Sequence, residues 1–420
     1  MFILLKLITI MRVLFFALLF SSLCVTAFAA EGLRTLPDSA EAMGMIGGRL
    51  AILDDPSVTR ANPASLTDIS DTLVQVNVQP WHGKTDFTSP TGVKNSMTDP
   101  WIPVGSAYFV HPLSEKMTFG FGFSAPFGVA ISWPEQGSFK YFGAYDANLQ
   151  TIALTPALGL KINDDVSIGF GLDIFQSNLK LNQKFPWAAV AMAPVPDGAM
   201  EFEGDGWGLG AYFGLNFDLG ERHHFSVVGR LPVSVDYEGD FTINNIPAPG
   251  AALPTSPFKS EIEHPGSVAV GYAFDVNDRL TFGADFEWIG NSSHDDIPLS
   301  IGANQALLGG KTAVDLNWDD SVSFGFGLEY ELTEALTLRS GYLYSDSPMN
   351  STNYNPSVPA DDRHIFSVGV GYTWGPNTVD FAYSYLAMDS SQITGNVTPA
   401  FNGSYQYHWD IVTLSYTRRF

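Results

Sequence analysis

The 420 residues include 21 Lys and Arg against 44 Asp and Glu, for a formal net charge of −23, which excludes the basic footprint that nucleic-acid binding requires. Only 15% of residues are charged, while 13% are aromatic and 40 are glycine. A soluble chain of this size usually carries about a quarter charged residues. The single cysteine, Cys24, excludes a disulfide framework. Beyond the N-terminal stretch, nothing approaches the roughly 18 to 20 consecutive apolar residues of a membrane helix.

At the N-terminus, Lys6 and Arg12 flank an apolar run from Val13 to Phe20, followed by small residues to Ala27-Phe28-Ala29. This is the pattern of a secretory signal peptide over 1–29, with Met11 as an alternative start. Ser21, Ser22 and Leu23 make a poor lipobox for Cys24, so acylation is not expected. The next segment, 30–70, contains Met43-Gly44-Met45-Ile46-Gly47-Gly48 and Arg60-Ala61-Asn62-Pro63-Ala64 and shows no alternation. It is expected to lie in the lumen of a barrel built by residues 71–420, as a plug or hatch.

From 71 onwards the sequence alternates. Fourteen strands are predicted near 72–80, 103–111, 116–133, 148–162, 166–184, 203–219, 223–241, 260–275, 279–291, 312–331, 335–346, 364–374, 378–389 and 405–420. Short turns, such as Asn163-Asp164-Asp165 and Gly375-Pro376-Asn377, alternate with long connections. Outer-membrane barrels have an even strand count, short periplasmic turns and longer extracellular loops. Five stretches alternate bulky apolar residues with glycine; Phe119-Gly120-Phe121-Gly122-Phe123 is the first. Because successive side chains point to opposite faces, Phe119, Phe121 and Phe123 should face lipid, and Gly120 and Gly122 the lumen. The chain ends on Phe420, an aromatic terminus suited to recognition by the outer-membrane assembly machinery. The fold class is therefore all-β: a transmembrane antiparallel barrel of about fourteen strands.

Other motifs are specific in combination. They are Asn62-Pro63-Ala64 after a Gly-rich start, Gly229-Arg230-Leu231-Pro232-Val233-Ser234 leading into Asp236-Tyr237-Glu238-Gly239, and Trp318-Asp319-Asp320. With them come Leu338-Arg339-Ser340-Gly341-Tyr342, Ser347-Pro348 and Pro359-Ala360-Asp361-Asp362-Arg363-His364. In this order the set resembles the FadL family, outer-membrane transporters of long-chain fatty acids and, in one branch, of aromatic hydrocarbons such as toluene. The resemblance implies a fourteen-stranded barrel with an N-terminal hatch, here including Leu33, Asn62, Pro63 and Ala64. It also implies capture of hydrophobic ligand on extracellular loops, transfer to a lumenal pocket, and lateral exit through a kink in the third strand. That strand carries Ala125-Pro126-Phe127-Gly128, where Pro126 cannot donate to a ladder and Gly128 tolerates bending. An ordinary strand-end bulge is the alternative.

Two predicted loops are unusually apolar, Phe185 to Val195 and Ile246 to Pro254. They make Phe185, Trp187, Val190, Met192 and Leu253 candidates for ligand capture, and mutual packing that closes the top of the barrel is equally compatible. Fatty-acid members of the family place basic side chains toward the carboxylate on the fifth and tenth strands. Here those positions read as Asn178 and Asp319, with Lys180 and Arg230 as substitutes, so a neutral aromatic hydrocarbon stays open as ligand. A general diffusion porin is disfavoured by the plug and the apolar loops. Ser293-His294-Asp295 cannot form a triad, whose members converge from separate positions, and His223 and His224 point to opposite faces. No enzyme activity, cofactor, metal or nucleic-acid partner is expected. The expected partners are a hydrophobic ligand, outer-membrane lipid and lipopolysaccharide, and the expected state is a monomer.

Overall fold

The computed structural model describes residues 33–98, 101–293, 295–358 and 361–420; the segment read as a signal peptide and His294 lie outside them. Fourteen antiparallel strands form a closed barrel. They are β1 Leu73–Thr88, β2 Trp101–Ser114, β3 Met117–Ser132, β4 Asp146–Lys161, β5 Val166–Phe185 and β6 Gly198–Leu219. Two broken strands follow: β7 is His223–Arg230 and Val233–Ile243, and β8 is Thr255–His264 and Ser267–Asn277. The remainder are β9 Leu280–Ile289, β10 Ser321–Thr333, β11 Leu336–Ser345, β12 Arg363–Trp374, β13 Asn377–Met388 and β14 Gly403–Arg419. Closure is by β1 on β14, in register from Leu73↔Arg419 to Thr88↔Ser404. Among the described residues no helix is long and apolar enough to cross a membrane.

Several boundaries differ from the sequence reading. β1 runs to Thr88 rather than stopping at 80, and β6 begins at Gly198. β10 begins at Ser321, because Ala313–Asp315 is a separate loop strand pairing with Asp296–Ser300. The strands expected over 223–241 and 260–275 are each interrupted, at Leu231-Pro232 and Pro265-Gly266. Proline has no N–H for the ladder, and here the two interruptions lie side by side.

The two faces of the wall exchange character along its height. On β6, the outward Trp207, Leu209, Phe213, Leu215, Phe217 and Leu219 are exposed, as a lipid-facing surface requires. Above them the outward residues are Glu201, Glu203 and Asp205, while the inward Met200 and Phe202 are buried. Inside the membrane band glycines leave parts of the lumenal face bare. A Cβ on Gly120 would meet Thr59 and Leu66 of the hatch, and one on Gly122 would meet Tyr108, so both glycines point inward as expected. Introducing arginine at Phe121 should therefore destabilise the barrel by about 2–4 kcal/mol if the residue lies near the bilayer midplane. A folding titration in lipid vesicles would read this; an unchanged midpoint would place Phe121 away from lipid.

The hatch occupies that bare space. Helix α1, Ala40–Gly44, is capped by Ser39, whose hydroxyl accepts from the Ala42 amide. Helix α2, Val58–Ala61, runs into a 3-10 turn, Pro63–Asp68. Asn62 caps that turn through its side-chain oxygen, and Pro63 sits at its first position, where no amide is needed. The Asn62 amide also donates to Asn216 at 2.7 Å and Ser226 at 3.2 Å, tying Asn62-Pro63-Ala64 to β6 and β7. On the opposite wall the approach is backbone to backbone: a Cβ on Gly283 would lie 1.9 Å from the Gly48 carbonyl oxygen.

Ion pairs complete the seat. Arg339 on β11 reaches Glu41 of α1 at 3.2 Å, Glu329 at 2.6 Å and Asp380 at 2.7 Å. Asp285 accepts from the amides of Arg49 and Leu50 at 2.9 and 3.2 Å.

Candidate lateral opening and lumenal cavity

The β2–β3 ladder runs from Ser114↔Met117 up to Ala107↔Phe123 and stops there. Above that level, among the described residues, β3 keeps only β4 as a strand neighbour, and that register skips between Ser124↔Ala153 and Phe127↔Thr151. Ala125 and Pro126 together stand opposite Ile152 alone, one residue in excess, so β3 bulges where its ladder to β2 is lost. The exposed backbone groups are satisfied from inside. Thr35 donates its amide to the Pro126 carbonyl at 2.9 Å, and Gly128 donates to the Leu33 carbonyl at 2.9 Å. The Thr35 hydroxyl donates to the Ala125 carbonyl at 2.9 Å. Between them, Arg34 reaches across the lumen to a two-pronged pair with Glu287 on β9, both contacts at 2.8 Å. Three hatch residues thus cover the free edge of β3 from inside, through a single bridge, Arg34↔Phe127.

Above this point lies a cavity of about 560 Å³. Its walls are Leu149, Leu179, Met200, Phe202 and Ile262; its roof comes from loop residues including Leu308, Leu316, Trp318 and Phe401. Leu33 and Val129, which flank the β3 break, also line it, so the cavity extends from the loops to the break. Its cations are Lys184 and Lys311. Lys184 is paired with Glu135, whereas Lys311 has no ion pair among the described residues. A second cavity of about 110 Å³ lies against the hatch and is charged, with Arg34, Asp38, Arg60, Arg230, Asp285 and Glu287 on its walls. In the loops, the Tyr141 hydroxyl and Lys140 ammonium hold Asp197 below the usual carboxylate range, at 2.7 and 3.1 Å. Burial raises the Tyr354 phenol well above its ordinary value.

Several expected ligand contacts lie elsewhere. Asn178 and Lys180 are on the outer face of β5, because alternation turns Phe175 and Leu179 inward. Lys180 there pairs with Glu201 at 2.6 Å. Arg230 does face the lumen, but in the charged cavity, donating to the Arg60 carbonyl and lying 3.5 Å from Asp173. Asp319 is exposed and bound through its backbone to Pro348, while its neighbour Trp318 turns into the apolar cavity. Of the capture candidates, Phe185 lines the cavity. Trp187 is instead fully buried, donating to the Asn244 carbonyl at 3.0 Å and packing on Phe185. Val190, Met192 and Leu253 are exposed on the loops, Met192 at 92%. Sequence reasoning misses Lys184 and Lys311; Lys184 adjoins the apolar run at Phe185, which is the available signal.

A family profile described as "Outer membrane protein transport protein (OMPP1/FadL/TodX)" matches residues 22–420. The long-chain fatty acid transport protein of Escherichia coli O6:H1 is 23% identical over 81% of this chain and 82% of its own. Among solved structures, a Pseudomonas aeruginosa FadL homologue superimposes with a TM-score of 0.80, at 20% identity, covering 92% of this chain and 99% of that one. The P. putida toluene transporter TodX gives 0.74 at 18% identity, covering 92% and 99%. At these identities the structural likeness speaks for the fold; the profile, spanning nearly the whole chain, places this outer-membrane β-barrel in the OMPP1/FadL/TodX family of transport proteins.

Proposed function

We propose that this barrel carries hydrophobic compounds, long-chain fatty acids foremost, into the outer membrane by capture on its loops, transfer to the apolar cavity and lateral exit at β3. The observation that carries the reading is the continuity of that cavity with Leu33 and Val129 at the wall break. Lipopolysaccharide resists hydrophobic solutes, and a water-filled pore offers them no favourable environment. An apolar chamber opening sideways avoids both obstacles. At about 560 Å³ the chamber lies within the range of roughly 300–1,000 Å³ common for small-molecule sites. Exposed Val190, Met192 and Leu253 serve as first contacts, and Ala125, Pro126, Phe127 and Gly128 form the gate. Lys311 at the cavity, without an ion pair among the described residues, suits an anionic head group. A neutral aromatic hydrocarbon is the second reading, favoured by the pairing of Lys184 with Glu135 and by the outward positions of Asn178 and Lys180.

The test is a Gly128→Trp variant, assayed for oleate and toluene binding to purified protein and for uptake by cells. Binding retained with uptake lost is the expected result. Unchanged uptake by a correctly assembled variant would mean that ligand leaves elsewhere, most simply past the hatch. Preference for oleate over toluene, lost in Lys311→Leu, would decide between the two ligand classes.

A further inference from the structure

The interruptions in β7 and β8 are aligned. Arg230↔Ser267 is the last pair below them and Val233↔His264 the first above, leaving Leu231-Pro232 opposite Pro265-Gly266. The upper hairpin is paired along only part of each edge. On one side β6 pairs with it only from Met200↔Ile243 to Asp205↔Glu238, then not again until Tyr212↔Arg230. On the other, the pairs are Lys259↔Ser300 and Ser260↔Leu299, to a loop strand. Where the β6 ladder lapses, the hairpin has moved inward. A Cβ on Gly208 or Gly210 would lie 2.9 or 2.7 Å from the Val233 side chain, so β6 is bare where Val233 tucks behind it.

This inward hairpin touches the β3 bulge across the lumen. His264, the last residue before the interruption, stacks on Phe127, with ring centroids 3.9 Å apart and planes inclined by 17°. Phe175 of β5 meets both rings edge-on at 5.7 Å. All three rings are buried. The apolar cavity lies directly above them, touching Ile262 two residues from His264 and Val129 two residues from Phe127.

We infer that the upper β7–β8 hairpin is an inner flap hinged at Pro232 and Pro265, and that His264 is a positioning residue which holds Phe127, and with it the β3 bulge, in the closed arrangement. Ligand filling the cavity wedges Ile262 away from Val129, lifts the His264 ring and frees Phe127. The proline pair supplies the hinge because neither residue donates a ladder bond that bending would break. Glycines on β6 supply the clearance over which Val233 slides. The inference rests on lateral exit for its consequence in transport, but the coupling of flap to bulge is independent of which ligand passes.

The experiment has two arms. Hydrogen exchange of the peptide spanning residues 124–132 reports the bulge, since the Gly128 amide is bonded to Leu33. In His264→Leu this exchange should accelerate several-fold, whereas His264→Phe, which keeps a stacking ring, should match the parent protein. Equal exchange in His264→Leu and the parent overturns the coupling. In the second arm, Gly210→Cys with Val233→Cys pins the flap, because a Cβ on Gly210 falls 2.7 Å from a Val233 methyl, within disulfide reach. Oxidised protein should show slowed exchange at 124–132 and several-fold lower oleate uptake, both restored by reductant. Uptake equal in oxidised and reduced cells overturns the flap. If the parent protein takes up neither oleate nor toluene, the transport reading fails, while the exchange measurements still decide the coupling.

Discussion

Replacing Arg339 with leucine should lower the stability of the folded barrel by about 3–5 kcal/mol, the usual cost of removing one partner from a buried ionic cluster. The guanidinium is 8% exposed and faces Glu41, Glu329 and Asp380. Leucine fills much of the volume but leaves three carboxylates converging with no counter-charge, one of them on the hatch. The loss should therefore appear as hatch loosening before wall unfolding. Urea titration followed by resistance of the 33–72 segment to protease would separate the two. Lysine at the same position should recover only part of the loss, because a point charge cannot donate in three directions from a planar fork. A leucine variant as stable as the parent would mean that the carboxylates are neutral or hydrated in the closed state.

Gly283→Val should unseat the hatch and leave the barrel standing. The added Cβ would fall 1.9 Å from the Gly48 carbonyl oxygen, and neither backbone can yield without moving the chain. Lifting Gly48 also pulls the Arg49 and Leu50 amides from the Asp285 carboxylate two residues along the same strand. A hatch held in the lumen without those bonds loses about 1–3 kcal/mol for each amide shielded from water, so full displacement, in which water accepts from them, becomes preferred. In planar bilayers the variant should conduct ions several-fold more than the parent, with unchanged strand content by circular dichroism. Gly283→Ala should show the same effect more weakly, because the smaller side chain meets the same oxygen but adds nothing beyond it. Parent-level conductance in the valine variant would show that the hatch is held by its ion pairs alone.

The membrane-embedded half of this protein was legible from its residues. Glycine alternating with Phe, Leu or Val marked a wall apolar outside and bare inside. What the pattern left open was the purpose of the bare face, which is to admit hatch backbone at Gly47, Gly48 and Pro63. The extracellular half was harder to read. Residues 81–88 of β1 present His82, Lys84 and Asp86 outward and bury Trp81, Thr85 and Phe87, so they resemble a polar loop although they continue a strand. The same exchange of faces misled the placement of Asn178 and Lys180. In the membrane a polar side chain belongs in the lumen, but above it water lies outside and the polar side turns outward. Pro232 and Pro265-Gly266 signalled the breaks in β7 and β8, yet each segment otherwise alternates well enough to pass as one strand. The aromatic contact of Phe127 with His264 joins residues far apart in the chain, and no local pattern announces it.

The exchange of faces at Trp207 has a consequence for depth. Moving the barrel toward the periplasm by a few residues would draw Asp205, Glu203 and Lys180 into hydrocarbon. Moving it outward would expose Leu209, Phe213 and Leu215 to the head groups and water. Charged residues on the lipid face cost most near the midplane and little at the interface, so the penalty rises with every ångström of displacement. The protein is held at one level, and a bilayer of different thickness must thin or thicken around it. The β3 break opens immediately above Phe123, the last of its lipid-facing phenylalanines. Its height is fixed by the same belt. A molecule leaving there would enter the membrane beneath the lipopolysaccharide sugars, already past the layer that resists it.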